Sequence, residues 1–310
     1  MSIRRPAVAG MFYSSSALEL RAEVESCFLG PGGPGHIVTS EQLTVNSGQR
    51  RIIGLVSPHA GYMYSGSVAA NAYHRLAEDG LPDVVALIGP NHRSHMPPIA
   101  LADDEAWHTP LGDVPLDKDI IYDIASACPD AVIDPGAHAA EHSLEVQIPF
   151  LQYIYGEWSR VHGQGAMADG EGSKAFRIVP ILVGAAGWTA ELQIVEFARS
   201  LGSAISEALK DRDAVIIAST DFTHYESAAS AQAKDSKAIE AIVHLDEKAL
   251  LETVAAMSIS MCGVLATAIT IAACKASGAA SALALAYRTS GDVTQDHSEV
   301  VGYAAMEIDR

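Results

Sequence analysis

The feature that most restricts this chain is an alternation of two kinds of segment. Short apolar runs rich in Ile, Val and Leu stop at small or polar clusters: 51–56, 83–88, 176–183, 213–218, 282–287 and 300–306. Their length and content suit strands buried on both faces. Between them lie stretches with helical character at 17–28, 67–78, 117–126, 143–153, 190–210, 231–243 and 264–275. Strands alternating with helices predict an α/β fold, a central mixed sheet covered by helices on both faces. No internal repeat or sharp change of composition divides the 310 residues, so a single domain is expected. Segments 30–51, which begins GPGGPG, and 162–173 carry no apolar period and read as mobile loops.

Composition removes several function classes. A formal charge of −18 argues against nucleic-acid binding, which needs clustered Lys and Arg to neutralise phosphates. The most apolar stretch, Cys262 to Cys274, has 13 residues without a charge, short of the ~20 that a membrane helix needs. Residues 1–13 lack the long apolar stretch of a signal peptide, so the expectation is a cytoplasmic protein with no membrane partner. The four cysteines are expected as thiols, with Cys27, Cys128 and Cys274 assigned to packing.

Chemistry-bearing residues follow the strand-like runs. Ser57-Pro58-His59 follows the first, Gly89-Pro90-Asn91-His92 the second, and Ser219-Thr220-Asp221-Phe222-Thr223-His224 the fourth. Ligands of open α/β sheets bind beyond the carboxyl ends of strands, so His59, His92, Asp221 and His224 can meet in one pocket. Imidazoles and carboxylates so gathered are the donor set of a zinc or non-haem iron site. Each His taken singly reads more readily as a hydrogen-bonding loop residue, and it is the repetition over three strand tips that favours a shared site. Cys262, just ahead of the apolar helix, fits a soft metal ligand or a small buried hydrophobe. A competing pattern is His138-Ala139-Ala140-Glu141-His142, an H-x-x-E-H match that, on a helix, makes a zinc metallopeptidase site.

The motifs together resemble the Memo family (mediator of ErbB-driven cell motility). The matching pieces are Arg5-Pro6-Ala7-Val8-Ala9-Gly10-Met11-Phe12-Tyr13, Pro58-His59-Ala60-Gly61-Tyr62-Met63-Tyr64-Ser65-Gly66, Gly89-Pro90-Asn91-His92, Glu141-His142-Ser143-Leu144-Glu145, Ser219 to Tyr225, Met261-Cys262-Gly263 and Gly302-Tyr303. The resemblance implies a fold like that of class III extradiol dioxygenases and one transition metal ion, iron or copper with zinc as a further candidate. It implies His59, His92 and Cys262 as metal ligands, with His224 and Asp221 as catalytic groups in the same cavity. Tyr64 and Phe12 match positions at the cavity mouth that serve phosphopeptide binding in animal relatives, and His142 is grouped with them as cofactor-binding. It also makes His138 an accidental member of the H-x-x-E-H pattern. Microbial relatives recur beside a radical-SAM protein, the implied partner. Two functions are left open: a metal-dependent redox enzyme of unknown substrate, and a metal- or peptide-binding module without turnover.

Overall fold

A computed structural model describes residues 2–37, 50–93, 98–161, 176–184 and 191–310. Strand β1 (Ile3–Arg4) and helix α1 (Ala17–Leu29) lead to β2 (Ile52–Ser57), α2 (Tyr62–Asp79) and β3 (Val84–Pro90). Four short strands follow, β4 (Ile99–Leu101), β5 (Ala106–Thr109), β6 (Gly112–Pro115) and β7 (Ala131–Ile133), with α3 (Lys118–Ala127) ahead of β7. A single turn α4 (Pro135–His138) and a 3-10 turn, Glu145–Gln147, precede α5 (Ile148–Val161), β8 (Arg177–Val183) and α6 (Glu191–Ala208). The remainder is β9 (Ala214–Ser219), β10 (His224–Glu226), α7 (Ala228–Val243), α8 (Glu247–Ala256), α9 (Val264–Ala276), β11 (Ser281–Thr289), α10 (Gly291–Thr294) and β12 (Val300–Asp309).

The main sheet runs β10-β12-β2-β9-β3-β8-β4-β7, with β11 also paired to β12. Its centre, β2-β9-β3-β8, is parallel, while β12 on β2 and β4 on β8 are antiparallel. The sheet is therefore mixed, as expected for the fold class, with the antiparallel members at its margins. In β2 and β3 every residue is buried, so neither strand shows a two-residue period. A second, three-stranded sheet, β1-β5-β6, joins the amino terminus to the 106–115 hairpin.

Helices pack against both sheet and neighbours: α9 lies on β9, β3 and β2 and against α6, whereas α2 lies on β12, β11 and β2 and against α1. Small residues set the spacing. A Cβ on Gly202 of α6 would come within 2.8 Å of Ala272 on α9, and one on Gly54 of β2 within 2.6 Å of the Cys274 sulfur. Cys274 and Cys27 are buried free thiols, the latter pushed up to about 12 first by burial and then by Glu23. Among the described residues no helix is long and apolar enough to cross a membrane.

All six apolar runs are strands within a few residues, but the reading of two segments changes. Helix α2 begins at Tyr62 rather than near 67, with Gly61 in the N-cap position, so the Tyr62-Met63-Tyr64 motif is helical. The 143–153 stretch is a 3-10 turn running into α5, and Pro149 sits in the first turn of α5, where no helical N–H is needed. Of the expected loops, residues 30–37 are held by defined hydrogen bonds, Gly33 N–H to Gly30 O and Gly35 N–H to Phe28 O. Residues 38–49 and 162–173 lie outside the described residues.

Candidate metal centre

Because β2, β9 and β3 are parallel neighbours, their carboxyl ends emerge on one edge. Ser57 pairs with Ser219, and Ile88 with Ala218, so the segments beginning at Pro58, Asn91 and Thr220 leave the sheet side by side. The tips are sewn together: Thr220 N–H donates to Ser57 O at 2.9 Å and His59 N–H to Asp221 Oδ1 at 2.8 Å. The start of α9 docks on the same edge, with Gly263 N–H donating to Thr220 Oγ1 at 3.0 Å. Only glycine allows this approach, since a Cβ at 263 would fall 2.5 Å from Thr220 Cβ and 2.6 Å from Ser219 O. Cys262 is thereby set beside His59, its sulfur 3.3 Å from His59 Nε2.

His59, His92 and His142 each bring one potential ligand atom to within 4.8 Å of the others. Their ring centroids are 5.3 Å (59 to 92), 5.5 Å (59 to 142) and 4.8 Å (92 to 142) apart. The hydrogen-bond network fixes which nitrogen carries the proton in His59 and His92. Ser219 spends its single hydroxyl proton on Ser143 O, and its oxygen already accepts from Gln147 Nε2 at 2.8 Å. The 2.9 Å contact between Ser219 Oγ and His59 Nδ1 must therefore use a proton on Nδ1. That leaves the lone pair of His59 on Nε2, facing Cys262. Burial first, then the neighbouring His142 and His92, hold His59 well below the usual imidazole pKa, so the ring is neutral and able to ligate.

Glu141 does the same for the other side. Its carboxylate is 2% exposed and accepts from His92 N (2.6 Å), His142 N (2.7 Å), Ser143 N (2.9 Å) and His92 Nδ1 (3.1 Å). Burial alone would raise its pKa, but the hydrogen bonds from His142, His92 and Ser143 outweigh it and hold the group far below the carboxylate range. An acceptor-only partner at His92 Nδ1 again leaves Nε2 as the free donor atom. His142 Nδ1 lies 3.1 Å from the same oxygen but makes no hydrogen bond, so that ring is placed by its backbone N–H on Glu141 and by packing on Phe12.

Asp221 and Cys262 share a polar corner: Asp221 N–H points to Cys262 Sγ at 3.3 Å and Cys262 N–H to Asp221 O at 3.3 Å. Desolvation raises both groups, with the Asp221 charge second for the thiol. A cation in the cluster reverses that, because it favours thiolate over thiol. His224 opens β10 just beyond, half-buried, its Nδ1 donating to Ser260 O at 2.9 Å and its backbone N–H to Ser260 Oγ at 2.7 Å. Tyr225 after it adopts φ +59°, which turns the strand at this rim. Phe12 packs on His142 at 4.8 Å between ring centroids, and with Met11, Met63, Tyr64, Glu19 and Glu23 it lines an open groove of about 530 Å³.

The H-x-x-E-H reading fails on geometry. Helix α4 ends at His138, so 138 and 142 are not a helical turn apart on one face. His138 is fully buried, donates Nε2–H to Ala100 O at 3.0 Å and packs on the edge of Trp107. Glu141 anchors rings rather than acting from the pocket floor. Sequence reasoning did not single out Ser219, Gln147 or Glu145 as supports. Glu145 is the anchor of the amino-terminal motif, accepting from Arg4 Nη1, Ala7 N, Val8 N and Tyr13 Oη at 2.7–3.0 Å.

A sequence profile of Memo-like proteins matches residues 4–307. The chain belongs to the Memo family. A MEMO1 family protein of Methanopyrus kandleri is 44% identical over 309 residues, covering 99% of both chains. One from Methanothermobacter thermautotrophicus is 40% identical over 306 residues, with 98% and 99% covered, and one from Ignicoccus hospitalis is 39% identical over 310, with 99% of each covered. Most of the Memo motifs named from sequence thus meet in one construction: the three strand tips with the start of α9, the segment from Glu141 to Glu145 bonded to them through Ser143, and the amino-terminal motif held by Glu145.

Proposed function

We infer that this Memo-family chain holds one transition metal ion, iron or copper, between His59, His92 and Cys262 with His142 alongside, and uses it in redox chemistry on a ligand entering from the Phe12–Tyr64 side. The observation that supports this most is the convergence of three imidazoles on one another, two with their outer nitrogens tied to fixed acceptors, with the Cys262 thiol 3.3 Å from His59 Nε2 on one side. Two or three imidazoles with one thiolate suit iron, copper and zinc, and disfavour magnesium or calcium. Iron or copper held there would supply an exchangeable electron and a positive charge that polarises a bound oxygen atom.

The protein's own residues do the rest. Ser219 and Glu141 fix ring orientation and leave lone pairs facing inward. Asp221 Oδ1 is committed to the His59 backbone, so the carboxyl positions that ring. His224 has Nδ1–H spent on Ser260 O, leaving Nε2 at the half-exposed rim to take or return a proton. Elemental analysis after oxygen-free purification, with oxygen uptake and metal reduction on the same preparation, tests this reading. His224→Ala should keep fold and metal and lose most turnover. Bound iron or copper with no turnover under any condition would transfer the reading to a binding module.

The groove gives that second reading some substance. Its lining combines Met11, Phe12, Met63 and Tyr64 with the carboxylates of Glu19 and Glu23, and no Lys or Arg. This surface suits an apolar, cationic peptide better than a phosphorylated one.

A further inference from the structure

Away from the strand tips, a second group of ligating side chains stands on α2. His74 and Glu78 are four residues apart on that helix, with His74 Nε2 3.5 Å from Glu78 Oε1. His36, from the segment after α1, meets His74 edge-on with 4.4 Å between ring centroids. One ligand atom from each of the three lies within 4.8 Å of the others. His74 is 5% exposed, yet its Nδ1 has no hydrogen-bond partner, so the network that orients His59 and His92 is missing here. Glu78 Oε2 is directed to Arg75, which Glu307 also binds, so Oε1 is the oxygen turned toward His74.

The loop carrying His36 is built to sit there. Asn71, one turn before His74, donates Nδ2–H to Gly32 O at 2.9 Å, and Arg288 donates to Pro31 O at 3.0 Å. Gly33 presses so closely on α1 that a Cβ would lie 2.1 Å from Cys27 O. His36 is therefore delivered by a fixed backbone, although its side chain is exposed.

We propose that His36, His74 and Glu78 form a second metal site, taking a divalent ion of the zinc type that clips the segment after α1 onto α2. Two imidazoles and a carboxylate fill three tetrahedral positions, and the exposure of His36 leaves the fourth to water. Without a thiolate the site has no preference for copper(I), which separates its chemistry from the cluster at Cys262. It shares no residue with that cluster, so the two stand or fall separately.

The test is a calorimetric titration of zinc alone into metal-free full-length protein carrying His59→Ala and Cys262→Ala. One equivalent should still bind. Adding His36→Ala, at an exposed position that spares the fold, should weaken that equivalent at least tenfold, and so should Glu78→Gln. His244→Ala, at an exposed imidazole whose Nδ1 bonds Glu240 O one helical turn back, should change nothing. Circular dichroism on each variant confirms the fold. If the double variant binds no zinc, or binds it equally well with and without His36, the site does not exist. If His59→Ala and Cys262→Ala fail to silence the first cluster, two equivalents appear, and the loss of only one with His36→Ala still supports the clip.

Discussion

His138 offers a stability measurement whose sign and size follow from where it sits. The ring is fully buried, and desolvation, first among its influences, lowers its pKa from 6.5 to about 3 against the weaker pull of the Ala100 carbonyl. The folded protein therefore keeps this imidazole neutral where the unfolded chain protonates it. Between pH 6.5 and 3 the unfolded state binds one more proton, so stability falls as pH falls, by about 1.4 kcal/mol per pH unit. By pH 4 the loss from this group is about 3 kcal/mol. His138→Phe removes the titration but strands Ala100 O, at a cost of about 1–3 kcal/mol that does not vary with pH. Urea unfolding should find the variant less stable at pH 7 and equal to or more stable than the parent by pH 4. The difference between the two proteins isolates His138, because every other titrating group is common to both. Parallel stability curves from pH 7 to 4 would refute the buried neutral imidazole.

Other changes bear on the supports of the cluster. Arg4→Met removes the partner of Glu145 in a pair with both side chains at most 3% exposed, and should cost about 3 kcal/mol, read as a shift of the urea midpoint at constant slope. Glu141→Gln places an amide where acceptors must face three backbone N–H groups and His92 Nδ1, and should weaken metal binding about 10- to 100-fold by calorimetry. An unchanged affinity would mean that the rings need no such anchor.

What could be read without coordinates was governed by length and repetition. Buried strands such as 83–88 declare themselves through unbroken Ile, Val and Leu, and the three His-bearing tips fall on adjacent parallel strands, β2, β9 and β3. Two- to four-residue strands such as β1, β4 and β7 carry too few residues for any period, and their pairing is set by tertiary contacts. Helix α8 escaped notice although Asp246 caps it through Ala249 N–H. The site was half legible. Histidine placement showed in the motifs, whereas the tautomers depend on Ser219, Gln147 and Glu141, whose roles exist only once distant segments meet. His138 shows the converse: a spacing that matches a helical zinc motif means nothing when the helix stops after one turn.

The central claim, a metal shared by imidazoles and Cys262, is tested most directly by X-ray absorption at the metal edge of protein loaded with one equivalent of zinc in a His36→Ala background. The claim predicts nitrogen scatterers at about 2.0–2.1 Å and one sulfur at about 2.3 Å, the sulfur vanishing in Cys262→Ala and the binding collapsing in His59→Ala. A spectrum without sulfur, together with undiminished loading of the His59→Ala protein, would contradict it.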